Sequence, residues 1–108
     1  MMQEEVSAIR AYMGTDGMLI ALAGAGAELG KACADIWQLN AGLTDAGIAE
    51  SWERLAKCMG KAAMLIDLMT DSHLTPTQMR AHWEVYSKCY DALRDAAREG
   101  EDHDADEQ

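Results

Sequence analysis

Phenylalanine is missing from this chain of 108 residues, and proline occurs only once. The aromatic and β-branched residues that favour strands are scarce, whereas alanine, leucine and methionine are frequent. This composition favours helix over sheet and predicts an all-α fold. Because 49% of the residues are hydrophobic, the chain can bury one modest core.

The cysteines are three in number and widely separated, at Cys33, Cys58 and Cys89. No CxxC pair or Cys/His spacing accompanies them, so the sequence indicates neither a disulfide framework nor a zinc site. We therefore predict that they are small core residues.

Basic residues are also scarce, with 9 Lys and Arg against 19 Asp and Glu, for a formal charge of −10. Direct binding of nucleic acid is not expected, since phosphate contacts need clustered cations. Residues 99–108 hold 6 of the acids and no Lys or Arg, which leaves 13 acids against 9 bases, or −4, for residues 1–98. We predict a disordered acidic tail over 99–108, serving either solubility or competition with nucleic acid for a basic partner surface.

The first ten residues, MMQEEVSAIR, include two acids and no long apolar run. They do not fit a signal peptide or a membrane span, so the expected location is the cytoplasm.

Apolar residues recur alternately three and four apart, which predicts helices at about 3–13, 18–40, 48–70 and 76–98 within one domain, 1–98. Glycines predict a break at 14–17 and a loop at 41–47, and Thr75, Pro76 and Gln78 form a capping-box pattern. The predicted buried stripes of the three long helices are Met18, Leu22, Gly26, Leu29, Cys33 and Ile36; Ile48, Trp52, Leu55, Met59, Ala62, Ile66 and Met69; and Met79, Trp83, Tyr86, Tyr90, Leu93 and Ala97.

Three long stripes need more partners than one thin chain supplies. An antiparallel helical bundle completed by a second copy is therefore expected. The aromatic residues on the stripes are candidate core or dimer-interface anchors rather than platforms for stacked bases. These interface candidates are Trp52, Trp83, Tyr86 and Tyr90.

The stretch GAGAELGKA, residues 24–32, has the glycines and the lysine of a phosphate-binding loop. A Walker loop requires G-x-x-x-x-G-K-S/T after a strand. Here Ala25 stands at the first glycine position and Ala32 replaces the hydroxyl, inside a helical pattern. A P-loop is therefore excluded.

Residues 13–32, MGTDGMLIALAGAGAELGKA, and 53–69, ERLAKCMGKAAMLIDLM, resemble the MazG-like all-α nucleoside triphosphate pyrophosphohydrolases, particularly short phage versions. The resemblance covers about residues 13–98. It implies one helix carrying E-E-x-x-E and, after a loop, a second carrying E-E-x-x-D, with carboxylates that bind magnesium for hydrolysis of a triphosphate. Magnesium prefers such oxygen ligands, and carboxylates three or four apart share one helix face.

On this chain the implied metal-binding positions have largely lost their carboxylates. They fall on Gly24, Ala25 and Glu28, and on Lys57, Cys58 and Lys61. Only Glu28 is acidic, and a lysine ammonium repels a divalent cation even at an effective dielectric constant of about 20. We therefore predict a MazG-like pseudoenzyme with no catalytic residues, no bound metal and no cofactor.

The changed residues allow several interpretations. Glu28 and Lys61 can form an ion pair between the helices. Arg54, Lys57 and Lys61 lie on one face and can bind phosphate, or they form a solvated basic face. Gly24, Gly26 and Gly30 can permit close helix packing or bind a ligand, and packing is the favoured interpretation.

The favoured function is binding of a macromolecular partner by a catalytically inactive protein. One specific version is a phage counter-defence inhibitor, of the anti-CRISPR type, that occupies a basic nucleic-acid site on a host effector. One alternative is a metal-independent nucleotide-binding or sequestering protein that uses Lys57 and Lys61. Another is a residual hydrolase using Glu28, Glu50, Glu53 and Asp67.

Overall fold

The computed structural model describes the backbone of residues 2–39 and 45–107, and the side chains of residues 2–38 and 47–100. These residues form three helices, α1 (Gln3–Leu39), α2 (Asp45–His73) and α3 (Pro76–Glu107). No strand occurs in these ranges, and the all-α prediction is confirmed. Most of the predicted loop over 41–47 lies outside the described residues.

Gly14 interrupts α1 with backbone angles of φ 70° and ψ 166°, which lie outside the helical region. Only glycine adopts this combination readily, because it has no Cβ. The break expected over residues 14–17 is therefore confined to Gly14, since the residues on both sides are helical.

The other two helices are longer than the sequence predicts. α2 begins at Asp45 instead of 48 and continues to His73 instead of 70. α3 continues to Glu107, past the predicted end at residue 98, so the backbone of the acidic segment is helical where disorder is expected. This segment contains no proline and a single glycine, Gly100, so no residue in it forces the helix to end.

The chain divides into two compact units, Met1–His73 and Leu74–Gln108. The first unit is a hairpin of α1 and α2. Every residue classed as buried among the described residues belongs to this hairpin.

The core of the hairpin consists of three clusters along its length. Near the Gly14 kink, Met18 packs with Val6 and Leu68. In the middle, Ala25 packs with Ala62 and Leu65, and at the far end Ala32 and Ile36 pack with Leu55. Rising residue numbers on α1 thus meet falling numbers on α2, so the two helices are antiparallel.

At two positions of α1 the buried residue is the one immediately before the residue that the predicted stripe contains. Ala25 and Ala32 are buried, whereas Gly26 and Cys33, one residue further along, are exposed. The prediction that all three cysteines are core residues is also wrong, because Cys33 and Cys89 are exposed and only Cys58 is half-buried.

On α2, three of the seven predicted stripe positions are wrong, because their side chains are exposed. Leu55 and Ala62 are buried as predicted, but Trp52, Met59 and Ile66 are exposed. Leu65 and Leu68, which the predicted stripe omits, are buried.

α3 begins at the predicted capping box. The Thr75 N–H donates to Gln78 Oε1 at 3.0 Å, and the Gln78 N–H donates to Thr75 Oγ1 at 3.2 Å. Most of the predicted apolar stripe of α3 is exposed. Met79 is half-buried, and the exposed members are Trp83, Tyr86, Tyr90, Leu93 and Ala97.

Within the described residues, one helical stretch, Gln3–Gln38, is long and apolar enough to meet the length and composition criteria for a membrane span. This differs from the sequence-based expectation of no such segment. Core helices of soluble proteins meet the same criteria, so the finding alone does not place the chain in a membrane.

Candidate functional site: the polar face of the α1–α2 hairpin

The charged residues that approach one another between α1 and α2 define one side of the hairpin, here called the polar face. Its members are Glu28, Lys31, Asp35, Arg54, Lys57 and Lys61. The positions implied by the metal-binding motifs fall on this face or beside it, which makes it the candidate site.

An ion pair links the two helices across this face. Lys61 Nζ donates to Glu28 Oε2 at 3.4 Å, which confirms the predicted geometry of the pair. The two side chains are 52% and 55% exposed, so water screens their attraction. Glu28, the one carboxylate at the implied motif positions, is thus paired with a lysine from the other helix.

The other lysines of the polar face are also paired with acids. Lys57 Nζ lies 3.5 Å from Glu53 Oε1, and Lys31 Nζ lies 3.4 Å from Asp35 Oδ2, each one turn apart on the same helix. Arg54 makes no ion pair among the residues that the structure describes. Of the three candidate phosphate-binding residues, Lys57 and Lys61 are therefore already engaged and Arg54 is available.

Two shallow grooves flank Arg54. One, of about 240 Å³, is lined by Glu28, Lys31, Ala32, Asp35, Arg54 and Cys58. The other, also about 240 Å³, is lined by Glu50, Glu53, Arg54 and Lys57. Each groove has as many acids as bases, so neither concentrates the positive charge that a phosphate group requires.

The six motif positions do not share one environment. Glu28, Lys57 and Lys61 are exposed on the polar face, and Gly24 is exposed beside it. Ala25 is buried against Ala62 and Leu65, and Cys58 packs beside Leu55. Ala25 and Cys58 therefore serve the hairpin core.

The residues present do not fit a magnesium ion. No group of three or more His, Cys, Asp or Glu side chains is placed to hold a metal in the described part of the chain. The groove beside Glu28 has two carboxylates, and each is paired with a lysine, Glu28 with Lys61 and Asp35 with Lys31, so the donor set is two neutralised acids with Arg54 nearby. The acids of the residual-hydrolase alternative, Glu28, Glu50, Glu53 and Asp67, are not gathered into such a group either.

A second polar contact, near the Gly14 kink, has no counterpart in the sequence-based predictions. Thr15 Oγ1 lies 3.2 Å from His73 Nε2, and Ser72 Oγ lies 2.7 Å from His73 Nδ1. The Thr15–His73 contact joins the segment after the kink to the last turn of α2, and the Ser72–His73 contact lies within that turn. The pattern carries no sequence signal, because Thr15 and His73 are 58 residues apart.

The predicted interface candidates are divided between the two units. Trp52 lies on α2 and is 55% exposed. Trp83, Tyr86 and Tyr90 lie on α3, where Trp83 and Tyr86 form an edge-to-face contact with ring centroids 5.6 Å apart. All four rings are available for contact with another molecule.

Comparison of the chain with models of known protein families, with curated proteins and with solved structures gave no match.

Proposed function

We propose that this protein is a catalytically inactive, MazG-like helical protein that acts by binding another macromolecule. The polar face supports this proposal most directly. At the positions where the resemblance implies metal ligands, a lysine from α2 is paired with the one remaining carboxylate, Glu28. A face of this kind repels the divalent cation on which hydrolysis of a triphosphate depends.

The α3 helix supplies the binding surface in this proposal. Its stripe of exposed aromatic and aliphatic side chains includes Trp83, Tyr86 and Tyr90, residue types that are enriched in protein interfaces. The same helix continues into the acidic segment 99–107. An aromatic stripe followed by six carboxylates suits a partner whose apolar groove adjoins a basic, nucleic-acid-binding surface.

A specific form of this proposal is a phage-encoded counter-defence protein of the anti-CRISPR type, acting in the host cytoplasm. It rests on small size and acidic charge, which suit occupation of a basic nucleic-acid site. Its test is expression of the chain in a host with CRISPR immunity. Restored plating of a targeted phage supports this form, and unchanged immunity to phages targeted by each available effector type contradicts it.

The alternative of a metal-independent nucleotide-binding protein has Arg54 as its best-placed residue, with Lys57 and Lys61 released from their exposed ion pairs. Surface ion pairs of this kind are worth about 1 kcal/mol or less, so a phosphate group can displace them. The even balance of charge in the two grooves weighs against this alternative.

Calorimetry with magnesium and a panel of nucleoside triphosphates, combined with a pyrophosphate-release assay, separates the three functions. We expect neither heat nor pyrophosphate. Heat without turnover, lost in the Lys57→Glu/Lys61→Glu variant but retained in Lys88→Glu on α3, would establish the nucleotide-binding alternative. Heat with pyrophosphate release, abolished by Glu28→Gln, would establish the residual hydrolase and refute the pseudoenzyme proposal.

We also propose that a second copy completes the helical bundle. This part of the proposal is supported by the amount of apolar surface that the single chain leaves exposed on α1, α2 and α3.

A further inference from the structure

The side of the hairpin opposite the polar face is apolar on both helices. On α1, Leu19, Gly26 and Cys33 recur every seven residues beside the core line of Met18, Ala25 and Ala32. On α2, Trp52, Met59 and Ile66 recur every seven residues beside the core line of Leu55 and Ala62. These six residues and two more from α1, Gly30 and Trp37, are here called the apolar face, which therefore has eight members.

The antiparallel arrangement brings the two halves of the apolar face to the same side. An α-helix turns by about 100° per residue. On α1, the row of Leu19, Gly26 and Cys33 therefore lies about 100° to one side of the core line, and Glu28 lies on the other side of that line. On α2, the row of Trp52, Met59 and Ile66 lies about 60° to one side of the core line, and Lys61 lies on the other side of that line. Because the Glu28–Lys61 pair marks one side of the hairpin, these two rows both lie on the other.

No residue of the apolar face is charged, although the chain carries a net charge of −10. A nucleic acid or a strongly charged protein finds no complementary group on it. A second copy of the same face is a suitable occupant, because two uncharged surfaces can meet while the charges of both copies remain on the outer sides.

The glycines of α1 point to a close neighbour from outside the chain. A Cβ added at Gly26 or Gly30 meets no atom within 4 Å, so packing within the chain does not require glycine at either position. Each glycine nevertheless costs the helix up to about 1 kcal/mol relative to alanine. The open space at Gly26 and Gly30 leaves room for another helix to approach this row closely.

The two halves of the face are complementary in size. The α1 half has small side chains at Gly26, Gly30 and Cys33. The α2 half has large side chains, and Trp52, Met59 and Ile66 form a ridge there. A two-fold axis parallel to the helices places the α2 ridge of each copy over the α1 row of the other and keeps the residues at the same level along the bundle. In this arrangement Met59 of one copy faces the gap between Gly26 and Gly30 of its partner.

The exposed area of the face is sufficient for a stable dimer. Trp37, Trp52 and Met59 are 85%, 55% and 55% exposed, and Leu19 and Ile66 are 50% and 41% exposed. A tryptophan side chain can contribute up to about 250 Å², so these five residues with the intervening small ones offer on the order of 800 Å², the size of one side of a standard interface.

We propose that the apolar face is the surface through which two copies of this chain form a four-helix bundle, with α2 of each copy packed on the glycine row of the other. The inference deepens the proposed dimer by naming its interface and symmetry. It requires no particular partner for α3.

Paired substitutions test the interface on the full chain. Light scattering coupled to size exclusion should give twice the 11.8 kDa chain mass for the wild type. Met59→Glu, on the apolar face, should raise the dimer dissociation constant at least about 100-fold, since it buries a charge in the interface. Met64→Glu is the matched control, because Met64 is also exposed but lies about 140° around α2, and it should leave the dimer intact.

Glycine substitutions test the interface independently, because they separate an effect on the dimer from an effect on helix stability. Gly26→Leu and Gly24→Leu both place a side chain in open space on α1, and both should raise the helicity of the isolated chain. Only Gly26→Leu should weaken the dimer, because Gly24 lies about 160° away around the helix. Circular dichroism checks that each variant remains helical.

Each outcome decides the inference. A wild-type chain that is monomeric at hundreds of micromolar would overturn both the dimer and this interface. A dimer that withstands Met59→Glu and Gly26→Leu would retain the proposed dimer but reject the apolar face as its interface. Flotation of the wild type with neutral phosphatidylcholine vesicles, lost in Met59→Glu, would assign the face to a lipid surface and likewise reject the inference.

Discussion

The ion pair between Glu28 and Lys61 supports the proposed loss of catalysis more directly than any other contact between two residues. Its 3.4 Å separation and half-exposed side chains are those of a screened surface ion pair. A double-mutant cycle with Glu28→Gln and Lys61→Met should give a coupling energy of about 0.2–1 kcal/mol in urea unfolding, smaller at higher salt. Lys57→Met with Glu28→Gln is the control and should show no coupling, because Lys57 pairs with Glu53.

A coupling energy that is larger than about 2 kcal/mol and insensitive to salt would contradict this prediction, since it would indicate a buried, unscreened pair. The pair is one of the interpretations that the sequence allows, because the motif positions implied by the resemblance put Glu28 and Lys61 on facing helices. The partners of Lys31 and Lys57 follow from simple spacing, one turn along each helix.

Single positions on the helices show where sequence reasoning stops. Ala25 and Gly26 are both small, and either fits a stripe with spacings of three and four, yet one is buried and the other exposed. The apolar arc of α1 covers well over half of its circumference on the side away from Glu28. When the apolar surface of a helix is this broad, the spacing of apolar residues does not predict which line of the surface packs against α2 and which line contacts another molecule.

At the scale of the helices, Gly14 is the position where the backbone requires glycine. Its φ of 70° with ψ of 166° lies in a region that alanine enters at a cost of about 1–3 kcal/mol. We therefore expect Gly14→Ala to lower the free energy of unfolding by about that amount. Because no atom lies within 4 Å of a Cβ built there, the loss comes from the backbone and not from a clash.

Gly24→Ala is the matched comparison, since it adds the same methyl group in equally open space but within regular helix. It should stabilise the protein by up to about 1 kcal/mol, opposite in sign to Gly14→Ala. Both values come from chemical unfolding followed by circular dichroism. An unchanged or raised stability in Gly14→Ala would show that the kink is not required by the folded hairpin.

The ends of the helices were predictable to different degrees. The Thr75–Gln78 capping box fixes the start of α3, because its two bonds depend only on residues three apart in the sequence. The other end of α3 has no such local signal. The acidic composition of 99–107 suggests disorder, but helix propagation from the preceding alanine-containing turns extends through it.

At the scale of the whole molecule, composition alone indicates the all-α class, because residues that favour strands are few. The division into two units does not follow from composition. It arises because all the buried side chains among the described residues belong to α1 and α2, while the stripe of α3 remains exposed. The pattern of α3 is that of a helix with a buried side, and the sequence does not say which molecule covers it.

This uneven burial predicts uneven local stability. Hydrogen exchange followed by mass spectrometry should show slow amides over 18–36 and 55–70, where the core clusters lie, and fast amides over 79–98, where no side chain is buried. If the proposed dimer forms through the apolar face, Met59→Glu should accelerate exchange in the hairpin, because it removes the proposed second copy, and leave α3 unchanged. A bound partner should slow exchange in α3, and Trp83→Ala should remove that effect while Val85→Ala, about 160° away on the same helix, should not. Strong protection of 79–98 in the unbound Met59→Glu monomer would contradict the assignment, because α3 would then already be covered by its own chain.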